Sequence, residues 1–484
     1  MGAAVDRRGA KNMKRLGAFL LAVGVSMPGA ADPVDDYVNA TLAQKRIPGA
    51  SVLIVQSGTV RKSQGYGFAN VELRVPATED TIYQSGSTGK QFTAAGILLL
   101  VEAGKLSLDD RLSEYFPTAP ASWHRITVRH LLTHTSGIRD YTDSPDIDWR
   151  RDYSEEDLLK VMMRLPTDFE PGTQWSYSNS GYLILGLLTS KLAGVHWSEF
   201  QAQRLFKPLG MTTTRVISES DIVSNRASGY ELDDKGELKN QQWVSPSLNR
   251  CADGSLYYTI KDLAAWDRAL RDGRFLSPAS LDAWVRPVRL ADGSEYPYGF
   301  GWFIDEQRGQ RLIEHEGAWQ GFETAIARYV DQGLTIVVLT NLSSAEPETM
   351  THEIAGLTEP RLKLPDMSTT HVDRVPGRGA YLHAILESWA SSRRDPRMAK
   401  GLADTDTGSL SEAQSRADTG LRLQQQTAFR FQDEDRFASE PLHRRGERVT
   451  SIAYYVLETK DKRYAYRFYL TQDGRVADFY VEER

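Results

Sequence analysis

The chain has 484 residues, enough for about two or three domains with cores of their own. Its net charge of -6 excludes the basic surface that a nucleic-acid partner demands. Cys251 is the sole cysteine, so no disulfide forms within the chain, and a lone thiol of this kind reads as a buried apolar side chain.

In chain order, the basic residues Arg7, Arg8, Lys11, Lys14 and Arg15 precede an apolar run over 16–27 and the small residues Pro28-Gly29-Ala30-Ala31. That order predicts a secretory signal over 1–31, cleaved after Ala30 or Ala31, with Met13 as an alternative start. The apolar run is too short to span a bilayer, so the mature chain is expected in the periplasm or outside the cell, with no integral membrane segment. A helix is predicted over 34–44 and strands over 50–56 and from 66 to 71. The stretch that follows Ser87 is apolar nearly all round and predicts a buried helix ending near Gly104. From 107 to 270 the patterning is helical with many turns, notably at 158–165, 182–192 and 260–270. Strand patterns return at 298–303, 312–315, 322–329 and 334–339.

Strands at both ends with helices between predict an α+β fold over 32–362: one antiparallel sheet flanked by helices, with an all-helical region. Residues 363–377 turn polar and proline-containing, which predicts a linker. Beyond it, a helix over 380–391, a polar irregular stretch over 404–417 and strands over 449–458, 463–470 and 476–481 predict a small helix-plus-meander domain, 378–484. That domain carries no catalytic constellation, and its partner, if it has one, is not legible.

Chemistry enters at Ser87 and Lys90. Three residues apart on one helix face, they put an amine beside a hydroxyl, where the positive end of the helix dipole favours negative charge on oxygen. This is a Ser-x-x-Lys motif, a nucleophile with its base. A phosphate-binding loop would need glycine in place of Gln84 and Ser or Thr in place of Gln91; a nucleophile elbow would need glycine in place of Ser85. Two further short patterns lie far along the chain: Tyr177-Ser178-Asn179, and His315-Glu316-Gly317 at the end of an apolar strand. Tyr-x-Asn alone carries little, since Tyr37-Val38-Asn39 repeats it.

Taken in order, and with the segments GYGFANVELRVPATEDTIYQSGSTGKQFTA, VRHLLTHTSGIRDY, YSNSGYLILGLL, PLGMTTT, RASGY and YGFGWF, the three motifs resemble the serine beta-lactamase and penicillin-binding protein superfamily. The likeness is to the branch of class C beta-lactamases, DD-carboxypeptidases, D-aminopeptidases and related esterases, over residues 34 to 345. It implies that Ser87 forms an acyl-enzyme, that Lys90 takes or relays its proton, and that Tyr177 is the companion base, its phenol acidified by Lys90. Asn179 would hold the substrate amide or the lysine. His315 would stand where a lysine is common, Gly317 would leave room for substrate along the strand, and the backbone N–H groups of Ser87 and Ala318 would form the oxyanion hole. The stretch from His134 to Gly137 reads as a structural loop. No cofactor is implied, and no His or Cys spacing suits zinc.

Glu316 departs from the small residue usual between His or Lys and Gly. Facing the cleft, it would repel free carboxylates and favour amines, amides or esters; the strand is expected at the edge of the sheet, and its twist decides the direction. The implied activity is that of an exported serine hydrolase acting on a small-molecule or peptide amide or ester related to D-amino acids or beta-lactams. The alternatives are a carboxylesterase on the same scaffold and a catalytically silent scaffold or binding module.

Overall fold

The computed structural model describes residues 32–218, 221–399, 402, 410–437 and 442–483. The secretory signal expected over 1–31 lies outside the described residues. Asp32 caps helix α1 (Pro33–Lys45) by accepting from Val34 N at 2.9 Å, with a proline at the first helical position. Strands β1 (Gly49–Gln56), β2 (Thr59–Asn70) and β3 (Val75–Pro76) follow, then a 3-10 turn (Gly86–Gly89) that runs directly into α2 (Lys90–Glu102).

The middle of the chain is mostly helical, including α3 (Asn179–Ala193) and α4 (Ile260–Asp272). It returns to the sheet as β4 (Phe303–Gln307), β5 (Gln310–Trp319), β6 (Phe322–Tyr329) and β7 (Leu334–Thr340), closed by α5 (Pro347–Thr358). The resulting seven-stranded sheet has the order β4-β5-β6-β7-β1-β2-β3, antiparallel throughout.

Alternation along the strands feeds two cores. Val52 and Ile54 pack with α1 and α5 on one face, while Leu53 and Val55 pack with α2 and the helical region on the other. Burial on both faces explains why β1 reads as a nearly unbroken apolar run. The same double burial makes α2 apolar all round: Lys90 through Leu98 are all buried.

Three expectations change. Residues 298–302 form a tight turn, not a strand: Gly301 is left-handed (φ 76°), and a Cβ there would lie 2.9 Å from Gln91 N. The strand bearing His315 is also not an outer strand. β5 pairs with β4 only up to Glu314, so its half from His315 to Trp319 is bonded to β6 alone. Thirdly, the stretch expected to be irregular over 404–417 is helical from Leu410 on.

After an irregular segment over 363–377, the C-terminal domain comprises α6 (Arg378–Ala390), α7 (Leu410–Gln424) and strands β8 (Ala428–Arg436), β9 (Leu442–Arg444), β10 (Glu447–Glu458), β11 (Arg463–Thr471) and β12 (Val476–Glu483). These strands form one antiparallel sheet, β8-β10-β11-β12, with β9 against β10. The domain is pinned to β4, β5 and α5. Arg444 pairs with Asp305, Tyr480 Oη lies 2.8 Å from Glu348 Oε1, and the fully buried His352 bridges Glu314 (2.7 Å) and Glu482 (3.2 Å). With a carboxylate at each ring nitrogen, His352 donates from both. Glu314, Glu348 and His352 gather their ligand atoms within 4.8 Å of one another. Among the described residues no helix is long and apolar enough to cross a membrane.

Candidate active site

Ser87 sits on the 3-10 turn and Lys90 is the first residue of α2. In a 3-10 turn, side chains three apart eclipse, which places the amine over the hydroxyl: Lys90 Nζ is 3.0 Å from Ser87 Oγ. The same nitrogen is 2.7 Å from Asn179 Oδ1 and 2.7 Å from the carbonyl oxygen of Asp253. The Asn179 amide is oriented by Asp140, whose carboxylate accepts from both Asn179 N and Nδ2 at 2.9 Å and so turns Oδ1 toward the lysine.

Two obligatory acceptors thus absorb two N–H bonds of Lys90. The third position faces Ser87, where an ammonium donates and a neutral amine presents its lone pair to the hydroxyl proton. Burial of the amine, opposed by the carboxylates of Asp253, Asp140 and Glu316, brings its pKa down to about 8. Asp140 and Asp253 were not singled out from sequence. Asp140 lies within one of the resembling segments, but Asp253 contributes a backbone carbonyl, which any residue type can supply.

Tyr177 is brought beside this pair, with Lys90 Nζ 4.9 Å from its ring centroid. Its buried hydroxyl finds no well-directed hydrogen bond among the described residues. Burial holds the phenol well above its ordinary pKa, and the nearby Ser87 hydroxyl offsets this only in part. The expectation that Lys90 acidifies Tyr177 is therefore corrected: desolvation outweighs the neighbouring amine, and the phenol rests neutral.

His315 lies on the half of β5 free of β4, but its ring turns inward. Nε2 is 3.0 Å from Tyr298 Oη and Nδ1 is 2.5 Å from the carbonyl oxygen of Glu316. Burial pushes its pKa down to about 3, so it is uncharged, with both nitrogens engaged inside the protein. It does not present the cation that a lysine would offer at this place.

Gly317 is required for a different reason from the one expected. A Cβ there would lie 2.2 Å from Ser85 O and 2.7 Å from Ser87 N, so the strand rests backbone-to-backbone on the serine turn. Gly86, left-handed at φ 53°, completes the contact: its Cβ would lie 2.5 Å from Ala318 N.

Two cavities flank β5. A pocket of about 70 Å³ is lined by Ser87, Asn179, Tyr141, Leu248, Ala318 and Trp319. Glu316 lines the other, of about 320 Å³, together with Glu323, Glu348, Arg422 and Tyr480. Only Ala318 borders both, so the Glu316 carboxylate faces away from the serine. By accessible area Glu316 is exposed, and the surface it exposes lines this half-open cavity. Desolvation by the protein packed around it, with the charge of Glu314, pushes its carboxyl up to about 7.

This fold and this serine–lysine arrangement define a class. The chain belongs to the Beta-lactamase family, which matches residues 34–358, and it is a serine hydrolase of the beta-lactamase and penicillin-binding protein superfamily. It is 32% identical over 317 residues to penicillin-binding protein 4* of Bacillus subtilis (strain 168), spanning 62% of this chain and 70% of that protein. Among solved structures, a D-stereospecific amidohydrolase from Streptomyces sp. is 25% identical with a TM-score of 0.57, over 68% of this chain and 98% of that one. The octameric penicillin-binding protein homologue from Pyrococcus abyssi shares the fold over 93% of this chain and 89% of its own, at 23% identity and a TM-score of 0.62.

Proposed function

We propose that this protein is an exported hydrolase that cleaves an amide or ester bond of a small D-amino-acid derivative or peptide through an acyl-enzyme on Ser87. The observation that carries this reading is the Lys90 amine, held 3.0 Å from Ser87 Oγ by two carbonyl-type acceptors. Export rests on the basic and apolar residues preceding Asp32.

In the acylation step Ser87 Oγ attacks the substrate carbonyl carbon as its proton passes to the neutral Lys90 amine. The negative charge on the carbonyl oxygen is met by the N–H groups of Ser87 and Ala318, on the two backbones packed together through Gly86 and Gly317. Collapse of the tetrahedral intermediate breaks the scissile bond. The neutral Tyr177 phenol gives its proton to the departing nitrogen or oxygen and is restored by the proton held at Lys90. Water then adds to the acyl carbon, losing a proton along the same path, and Ser87 is regenerated.

Substrates without a free carboxylate at the β5 end are favoured by the uncharged, internally bonded His315, which supplies no counter-ion there. The likeness to a D-stereospecific amidohydrolase supports an amide of a D-amino acid. The same two features suit a carboxylesterase, which is the second reading.

The test is intact-mass spectrometry and turnover of the mature chain with a D-amino-acid amide, a D-alanyl-D-alanine peptide, a penicillin and a p-nitrophenyl ester, with Ser87→Ala as control. Turnover of the D-amide above its L-isomer, lost in Ser87→Ala, is the expected result. Ester turnover alone would favour the esterase, and a lasting penicillin adduct or turnover of the D-alanyl peptide would favour a carboxylate-reading peptidase. Undiminished activity in Ser87→Ala would overturn the proposal.

A further inference from the structure

One hydroxyl joins the two imidazoles beside Tyr177. Tyr298 is fully buried, and its Oη lies 3.1 Å from His134 Nε2 and 3.0 Å from His315 Nε2. The ends of this chain dictate its direction. At one end the carbonyl oxygen of Glu316, 2.5 Å from His315 Nδ1, can only accept. Nδ1 therefore carries the proton, Nε2 of the neutral ring accepts, and the proton between His315 and Tyr298 belongs to Tyr298. At the other end Ser178 N–H donates to His134 Nδ1 at 3.1 Å, so the proton of that ring is on Nε2 and is given to Tyr298 Oη. All donors then run one way, from Ser178 N–H through His134, Tyr298 and His315 to Glu316 O.

His134 also brackets Tyr177 from both sides. Its carbonyl accepts from Ser176 N at 3.0 Å, its ring accepts from Ser178 N, and that ring lies tilted against the Tyr177 phenol with centroids 4.2 Å apart at 34°. The backbone at His134 is left-handed (φ 58°), a conformation costly for a residue with a side chain and maintained by these contacts.

Resting on the acyl-transfer reading of this site, we propose that His134 and Tyr298 are positioning residues. Together they lock one tautomer on each imidazole and, through His134, hold the Tyr177 phenol in the plane from which it gives its proton to the leaving group. His134 is faced by Trp175, Tyr177, Tyr182, Tyr298, the neutral His315 and the charge of Lys90; His315 is faced by Tyr177, Tyr298, Phe303, Glu316 and Lys90. Every group that bonds either ring in the chain is thereby uncharged. A second proton on His134 would set Nδ1–H against the Ser178 N–H, and one on His315 would strand the Tyr298 proton. Burial depresses both rings in the same sense.

The test joins histidine-selective ¹⁵N NMR of the full mature chain to steady-state kinetics. In wild type, His134 is expected as the Nε2–H tautomer and His315 as the Nδ1–H tautomer, both still neutral at about pH 5, well below the ordinary histidine pKa. Tyr298→Phe, nearly isosteric, is expected to release the His315 tautomer and to add a new ionisation to the kcat profile. His134→Ala is expected to lower kcat roughly 100-fold with little change in KM, as a misplaced proton-transfer group does. His134→Asn, whose Oδ1 can accept from Ser178 N in place of Nδ1, is expected to recover most of that loss. A charged or oppositely protonated His315 in wild type overturns the proposal whatever the variants do. So do folded Tyr298→Phe and His134→Ala proteins with wild-type kcat and pH profile. If Ser87→Ala retains activity, the acyl-enzyme reading fails instead, and the tautomer spectra still judge the hydrogen-bond chain.

Discussion

At the scale of single residues, function turns on an amine made less basic and a phenol made less acidic by the same burial. Lys90 is drawn down to about 8 while Tyr177 is driven well above its ordinary value, so at neutral pH a fraction of Lys90 is free amine and Tyr177 holds its proton. The base is the deprotonated form, so kcat/KM is expected to rise with pH, about tenfold per unit below the Lys90 pKa, and to level above about 8. Lys90→Arg keeps the charge but never yields a lone pair, and should abolish turnover at every pH. Tyr177→Phe removes the proton that the leaving group needs. Amide hydrolysis should fall roughly 10²–10⁴-fold, whereas p-nitrophenyl esters, whose leaving anion needs no proton, should fall much less. An equal loss on both substrates would refute the donor role.

At the scale of elements, the site is a contact between a helix start and half a strand. Because β4 releases β5 after Glu314, the residues from His315 to Trp319 are free to lie on the serine turn, and Gly86 and Gly317 let the two backbones meet. Gly317→Ala would push β5 off the turn. Overpacking of this kind costs about 1–3 kcal/mol, and activity should fall far more than the melting temperature, since the proposed oxyanion donors would separate. Full kcat in a folded Gly317→Ala protein would show that Ala318 N is not one of those donors. Much of this level was legible: the strand patterns at 312–315, 322–329 and 334–339 and the buried helix after Ser87 are all present. The turn at 298–302 was not, because its aromatic residues read as a strand and only the approach of Gly301 to the backbone of α2 explains its shape.

At the scale of the whole molecule, the C-terminal domain is clamped to the strand that carries the site. His352 stands between Glu314, next to His315 on β5, and Glu482 on β12. Although burial works against it, the two carboxylates raise its pKa to about 10 from 6.5. A group whose folded pKa is raised contributes stability that is complete below its unfolded value, so the His352 contribution is full below about 6.5 and fades as pH rises through about 10. His352→Leu leaves two buried carboxylates without their shared partner and should cost about 3 kcal/mol at pH 6, with a smaller difference from wild type near pH 10. Calorimetry across that range checks it, and a pH-independent difference would contradict the charged assignment.

From the sequence by itself came the serine and lysine one turn apart, the ordered companions Tyr177, Asn179 and His315, the α+β class and the second small domain. These are readable because covalent spacing within one turn or strand sets which side chains share a face. The directions and charges were decided only by the tertiary structure. Glu316 points to the interdomain cavity and not to the serine, His315 spends both nitrogens inside the protein, Tyr177 is neutral, and Asp253 contributes through its backbone. Each of these depends on what another part of the chain packs against the residue, and desolvation and hydrogen-bond direction are properties of that packing, which no local pattern of letters contains.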